Sequence, residues 1–138
     1  MATSDYELVS PPDRDRAREL WIQHAAGLIL MEDVRRAATE SLSPGLTDAE
    51  LAIAQQGVDA ALYSLMSLVD GVTGGLSNGD ERVDLTMIVR YSSRLPSGEM
   101  QQQYALDLSE GDGMCMGIHG WLESDFGMDP VAKPRSGG

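Results

Sequence analysis

The first third of the chain has the apolar spacing of a helix. From Arg14 to Leu42, apolar side chains recur at intervals of three and four residues, which predicts one long amphipathic helix. Asp13 is placed to cap the start of this helix, and Gly27 is the position at which we expect a kink. Near Gly27, apolar residues occupy almost every face. We therefore expect this stretch to be covered on several sides, by the core or by a second copy of the chain.

A second helical pattern follows a clear stop. Residues 43–45 read Ser-Pro-Gly, which ends a helix because proline disfavours the helical conformation of the residue before it. Thr47 and Glu50 then have the spacing of a capping box, and the three-and-four periodicity continues to about Val69. The two helices are predicted to form an antiparallel hairpin.

After a glycine-rich stretch, the spacing of apolar residues changes from intervals of three and four to alternation with polar residues. Residues 70–80 contain four glycines and are predicted to form a loop. Apolar and polar residues then alternate from Val83 to Tyr91 and again over residues 103–108, which predicts two strands joined by a turn at residues 96–98. A lone hairpin is marginally stable, so we expect it to pack on the helices or on another chain.

Residues 113–126 fit either a strand or a helix. The helix is favoured because it gathers small residues on one face, with Ser109 and Asp112 available as caps. The small residues are Gly113, Gly117, Gly120 and Ser124. With this choice the predicted fold is α+β in the order ααββα, which is a helical hairpin, a β-hairpin and a short C-terminal helix.

The length of the chain fits one folded unit. It has 138 residues, of which 42% are hydrophobic, so one core can form. We divide the chain into a flexible N-terminal arm at residues 1–12, a single α+β domain at 13–128 and a disordered tail at 129–138.

The net charge of the chain limits the classes of molecule that we expect it to bind. The chain carries 22 acidic and 10 basic residues, a formal net charge of −12, and residues 37–81 and 95–132 contain no lysine or arginine. Such a surface repels nucleic acids and anionic membranes, so neither is an expected partner, whereas a basic protein surface is its electrostatic complement. The residues predicted to bind that partner are Glu50, Asp59, Asp70, Trp121, Glu123 and Asp125.

One group of residues could carry chemistry. On a helix, Cys115 and His119 are one turn apart, and a thiol beside an imidazole is the start of a cysteine nucleophile, with Asp112 as a third candidate. The alternative is that Cys115 is a small buried hydrophobe. A single cysteine excludes an internal disulfide and a cysteine-rich zinc site. No metal signature or cofactor fingerprint is present, so we expect neither a metal nor a cofactor.

These observations favour a small acidic, non-enzymatic protein that covers a basic surface of a partner, as an inhibitor, an immunity-type protein or a regulatory subunit does. Two alternatives stay open. One is a small-ligand-binding or catalytic domain with a Cys115/His119 pocket, and the other is a homo-oligomeric assembly protein, for which a homodimer is the simplest form. The acidic N-terminus and the absence of a long apolar run predict a soluble cytoplasmic protein.

Overall fold

A computed structural model describes residues 2–135 and confirms the α+β class. The helices are α1 (Asp15–Ile29), α2 (Ala37–Glu40), α3 (Asp48–Val69) and α4 (Met114–Trp121), and a π-helical segment, Leu30–Arg36, joins α1 to α2. The strands are β1 (Tyr6–Leu8), β2 (Gly75–Ser77), β3 (Arg82–Asp84), β4 (Ile88–Arg94), β5 (Met100–Asp107) and β6 (Ala132–Pro134). They pair antiparallel as β1–β6, β2–β3 and β4–β5. Two of these pairs are additional to the predicted β-hairpin.

The first helical region is continuous and is irregular at a different place from the one predicted. Gly27 lies inside α1, and the departure from α-helix is the π-helical segment that follows. Glu32 in this segment is buried, and its carboxylate accepts from Arg36 at 2.7 Å. The helix begins after Arg14, which provides no side-chain cap. The prediction that Asp13 caps this helix is therefore wrong.

The second of the predicted helices is α3, and it has the predicted start and end. Thr47 Oγ1 accepts from the backbone N–H of Glu50 at 3.2 Å, and the Glu50 carboxylate accepts from the backbone N–H of Thr47 at 3.0 Å. This reciprocal capping satisfies two donors that a helix start otherwise leaves unpaired. α3 packs against the π-helical segment and α2.

Residues 114–121 are helical, as favoured from their small-residue face, and α4 contacts both α1 and α3. The cap differs from the predicted one. Gly113 is the N-cap residue and has φ of 104°, a conformation that glycine adopts without a steric penalty. The carboxylate that caps α4 comes from Asp70, at the C-terminal end of α3.

The centre of the core is the indole of Trp121, which is 3% exposed. It lies across Gly117 of its own helix and against Gly27 of α1, so that a Cβ added at either glycine would come within 2.6 Å of the ring atom Cζ2. Its Nε1–H donates to His24 Nδ1 at 3.0 Å. The two glycines therefore provide the space that the indole fills.

The β4–β5 hairpin covers the other side of α1. Trp21 of α1 makes an edge-to-face contact with Tyr91 of β4, with ring centroids 5.9 Å apart, and Arg18 lies over the ring of Tyr104 in β5. The predicted strand from Val83 to Tyr91 is interrupted, because β4 begins only at Ile88. Residues before it belong to the separate β2–β3 hairpin.

Both chain ends contribute to the fold. β6 pairs with β1, the backbone N–H of Val9 donates to the Val131 carbonyl at 2.8 Å, and the Val131 side chain is buried. Trp21 Nε1 also donates to the Pro130 carbonyl at 3.1 Å. The β1–β6 pair thus joins parts of the predicted flexible N-terminal arm and of the predicted disordered tail, and Met1 of that arm lies outside the described residues. Residues 136–138 of the predicted tail lie outside the described residues.

The glycine–indole contact predicts a large difference between two Gly→Ala substitutions in helices. Gly27→Ala should lower the free energy of unfolding by about 2–3 kcal/mol, because its methyl group overlaps the buried Trp121 ring. At Gly57 in α3 an added Cβ meets no atom within 4 Å, so Gly57→Ala should raise stability by about 0.5–1 kcal/mol through helix propensity alone. Urea denaturation measures both values. Equal effects at the two positions would contradict the packing described here.

Candidate functional site

Cys115 and His119 lie on α4 but face different side chains of α3. The Cys115 sulfur is 3.4 Å from the Ser67 hydroxyl, and the His119 ring lies 5.9 Å from the Tyr63 ring, centroid to centroid. No hydrogen bond joins the thiol to the imidazole in the described part of the chain. A base within hydrogen-bonding distance is one of the ways in which a thiol is activated as a nucleophile. This structure provides no such arrangement at Cys115.

Asp112, the third catalytic candidate, joins the start of α4 to α1. Its two carboxylate oxygens accept from Arg16 at 3.0 and 2.8 Å, and its backbone N–H donates to Gln23 Oε1 at 2.8 Å. The same ion pair raises the pKa of Arg16. Asp112 is therefore engaged in holding two helices together.

Two of the acidic residues predicted to bind a partner are occupied within the helices. Asp59 accepts from Arg35 Nε at 2.7 Å, and this bond holds the pKa of Asp59 below its usual value. Glu50 is in the capping box, where the backbone N–H of Thr47 lowers the pKa of the Glu50 carboxyl. Both carboxylates stay charged at neutral pH, but their nearest partners belong to this chain.

Asp70 is engaged by the backbone at the start of α4. Its Oδ1 accepts from the backbone N–H of Met114 at 2.6 Å and its Oδ2 from that of Cys115 at 2.9 Å. A carboxylate at this position satisfies unpaired donors and interacts favourably with the positive end of the helix dipole. Asp70 therefore connects the end of α3 to the start of α4.

The three remaining predicted residues have different environments. Trp121 is buried, so the prediction that it forms part of a contact surface is corrected: its apolar ring and N–H are both satisfied inside the core. Asp125 accepts from the backbone N–H of Gly127 at 3.1 Å. Glu123 is exposed. The structure does not bring the six residues together into one surface.

His24 of α1 is half-buried beside the indole of Trp121. Burial lowers its pKa, while the nearby carboxylates of Asp125 and Asp112 act in the opposite direction. Because Nδ1 accepts from Trp121, the neutral ring carries its hydrogen on Nε2. Protonation at Nδ1 would therefore break the hydrogen bond to Trp121.

The most exposed apolar part of the chain is the β2–β3 hairpin. We call residues 71–86 the arm: every residue in it is exposed. Leu76 and Val83 are directly opposite each other across the two strands. Sequence analysis assigned these residues to a loop and a half-buried strand. The Asn78-Gly79 pair, flanked by Leu76 and Val83, is the hairpin-turn signal that could have identified the arm.

Neither a metal centre nor a membrane span is found in the described chain. Residues 2–135 contain no group of three His, Cys, Asp or Glu side chains that could hold a metal ion. None of the helices in this range has the length and hydropathy that a membrane crossing requires.

The contact of Asp70 with α4 predicts a local effect of Asp70→Ala. Loss of the cap should lower the free energy of unfolding by about 1–2 kcal/mol and raise the rate at which iodoacetamide alkylates Cys115, because the first turn of α4 opens more often. Asp80→Ala, which removes an exposed arm carboxylate, is the matched control and should change neither quantity. An unaltered alkylation rate in Asp70→Ala would contradict the capping role.

The hydrogen bond between His24 and Trp121 predicts that the free energy of unfolding depends on pH between about pH 7 and 5. Because the folded state lowers the pKa of His24, the unfolded chain binds more protons below about pH 6.5. The free energy of unfolding should therefore fall as pH decreases from 7 towards the folded-state pKa of His24.

Denaturation of wild type and His24→Gln between about pH 7 and 5 measures this effect. The variant should lose the decrease, since an amide accepts from Trp121 without titrating. His119→Gln is the control and should retain the decrease, because His119 is exposed and does not contact Trp121. The charged groups around His24 are Asp112 and Asp125, together with Arg14, Arg16 and Asp129 of the adjoining cavity; they remain unchanged in both variants.

Comparisons of this chain with protein-family models, with curated proteins and with solved structures found no match.

Proposed function

We propose that the chain is a non-enzymatic binding protein that docks through its arm onto a protein partner. The contacting surface of that partner is an apolar strip bordered by lysine and arginine. The observation that carries the proposal is the arm itself, which combines exposed apolar side chains with an excess of carboxylates. The separation of Cys115 from His119 by their contacts with α3 supports a binding role over thiol catalysis.

Four apolar side chains of the arm are largely exposed to solvent. The exposed fractions are 74% for Val72, 78% for Leu76, 67% for Val83 and 65% for Leu85. Leu76 and Val83 are neighbours across the two strands, and neighbouring exposed apolar side chains are a feature of interaction surfaces. Burying one such side chain fully contributes about 1.5–3 kcal/mol. Contact with a partner would provide that burial.

The arm is ordered by its own turn. The side-chain oxygen of Asn78 accepts from the backbone N–H groups of Asp80 and Glu81 at 2.9 and 2.8 Å, and its amide donates to the Glu81 carboxylate at 3.0 Å. At the root of the arm, Gly74 lies against Leu68 of α3. A surface that is already shaped loses less conformational entropy on binding.

The charge on and beside the arm selects the partner. From Asp48 to Thr86 the chain has seven carboxylates and one cation, Arg82. That guanidinium pairs with Asp84 at 3.2 Å. The exposed carboxylates of Asp80 and Glu81 therefore face solvent without a compensating cation in the arm. A basic border on the partner would speed association, with a rate that decreases as salt increases.

A photo-crosslinking residue at Leu76 tests the proposal in the cells that make this protein. We expect a crosslink to a different protein, whose affinity is then measured with purified components. Leu76→Ser with Val83→Ser should weaken binding about 100-fold, through loss of apolar burial. Asp80→Lys with Glu81→Lys should slow association and reduce its dependence on salt.

Matched controls lie outside the arm. Ile53→Ser replaces an apolar residue of α3 that is similarly exposed, and Glu7→Lys with Glu99→Lys makes the same change of charge elsewhere. Neither control should alter affinity by more than a few-fold. Crosslinks only between copies of the chain would instead support the homo-oligomeric alternative. Equal binding by arm and control variants would refute docking through the arm.

A further inference from the structure

A cavity of about 430 Å³ lies between α1 and the segment that precedes β6. Its walls are formed by Arg14, Arg16, Ala17, Leu20, Trp21 and His24 on one side and by residues 127–129 on the other. The α1 residues share one face because they recur at helical intervals. This volume is within the range of small-molecule sites in proteins. The cavity is separate from the arm on which the proposed function rests.

The wall formed by residues 127–129 is anchored at both ends. The backbone N–H of Gly127 donates to Asp125 Oδ1 at 3.1 Å, and the carbonyl of Pro130 accepts from Trp21 Nε1 at 3.1 Å. Immediately beyond, Val131 is buried. Between these anchors the side chain of Met128 is 99% exposed and does not fill the space. The cavity is therefore held open by ordered structure on both sides.

The polar groups of the cavity favour an anion. Three of the ten basic residues of the chain are Arg14, Arg16 and Arg18. Arg16 and Arg18 pair with Asp112 and Asp15 at 2.8 Å, whereas the exposed guanidinium of Arg14 has no ion-pair partner within residues 2–135. A carboxylate is the group that a free guanidinium binds most strongly and with the most defined geometry.

His24 adds a donor in a defined orientation. Its Nδ1 accepts from Trp121, so the neutral ring presents an N–H at Nε2, and that edge of the ring lies against Gly127 of the opposite wall. Trp21, Leu20 and Ala17 provide the apolar surface. Asp129 is the one carboxylate among the lining residues. The Asp129 carboxylate repels an anion, but it forms no ion pair with Arg14, so the Arg14 guanidinium is available to a ligand.

We propose that this cavity binds a small apolar carboxylic acid, with the carboxylate held by Arg14 and His24 Nε2–H and the apolar group against Trp21 and Leu20. A ligand of this class uses both features of the cavity, because its carboxylate pairs with the guanidinium while its apolar group covers the apolar walls. A cationic ligand would instead have to approach two guanidinium groups.

The test uses phenylacetate and hexanoate as probes, with benzylamine and hexanol as the cationic and neutral counterparts. The chain has two tryptophans, and the indole N–H signal of Trp21 in ¹H–¹⁵N spectra reports on the cavity. We expect the carboxylates to shift this signal with saturation at millimolar concentration or below. The amine should not saturate, and the alcohol should bind at least tenfold more weakly than hexanoate.

Three substitutions identify the site. Arg14→Gln should weaken carboxylate binding about tenfold or more, in line with the loss of a charge-assisted hydrogen bond. Asp129→Asn should strengthen it by removing a like charge, and Ala17→Leu should block it by filling the cavity. Arg94→Gln, at an exposed arginine of the β4–β5 hairpin, is the control and should leave binding unchanged. Urea denaturation confirms that each variant is folded.

Several outcomes would overturn the proposal. Tighter binding of benzylamine than of phenylacetate, or a loss of binding in Asp129→Asn, would indicate a cation site. Equal affinities of wild type and Arg14→Gln would remove the role of the guanidinium. No saturable shift of Trp21 with either carboxylate would show that the cavity does not bind this class. None of these results would affect the arm, whose test uses a protein partner and different residues.

Discussion

The structure depends on the fit of one indole between two helices. Trp121 can be buried only because Gly27 and Gly117 lack side chains, and its N–H requires an acceptor, which His24 supplies. An unpaired indole N–H in the core would cost free energy comparable to a lost hydrogen bond. The close approach of α4 to α1 and the hydrogen bond of the Trp121 N–H therefore depend on the same contact. Asp70 then fixes the other end of α4 to α3.

This arrangement determines which groups remain for function. The start of α4 is capped by Asp70, and its tryptophan lies in the core. Cys115 is half-buried against Ser67 of α3, whereas His119 is exposed beside Tyr63. The arm leaves the body directly after Asp70, where the chain is held firmly. The proposed binding role rests on this exposed hairpin, whose turn is already ordered by the side chain of Asn78.

Local signals in the sequence predicted the parts of the fold that depend on neighbouring residues. The Thr47–Glu50 box and the start and end of α3 are of this kind, because each needs only residues within one or two turns. Contacts between distant residues were not predictable. Asp70 is 44 positions from Met114, and the β1–β6 pair adjoins one isolated buried residue, Val131, which creates no periodicity. Alternation around Val83 predicted a half-buried strand; a strand forms there as β3, but all three of its residues are exposed, so the predicted burial is wrong.

The distribution of ion pairs links the net charge to both surfaces. Near α1 and the π-helical segment, four arginines have carboxylate partners, and the pairs are Arg16–Asp112, Arg18–Asp15, Arg35–Asp59 and Arg36–Glu32. These pairs neutralise four cations, but residues 15–69 have eight carboxylates and the arm has three against one cation, so negative charge is in excess on both the helical body and the arm. Arg14 is the exception in this region, because it borders an apolar cavity without a partner. Arg90 and Arg94 of β4 also have no carboxylate partner within residues 2–135, but they do not line this cavity. In the two proposals, the excess of carboxylates on the arm favours a basic partner there, and the unpaired Arg14 favours an anion at the cavity.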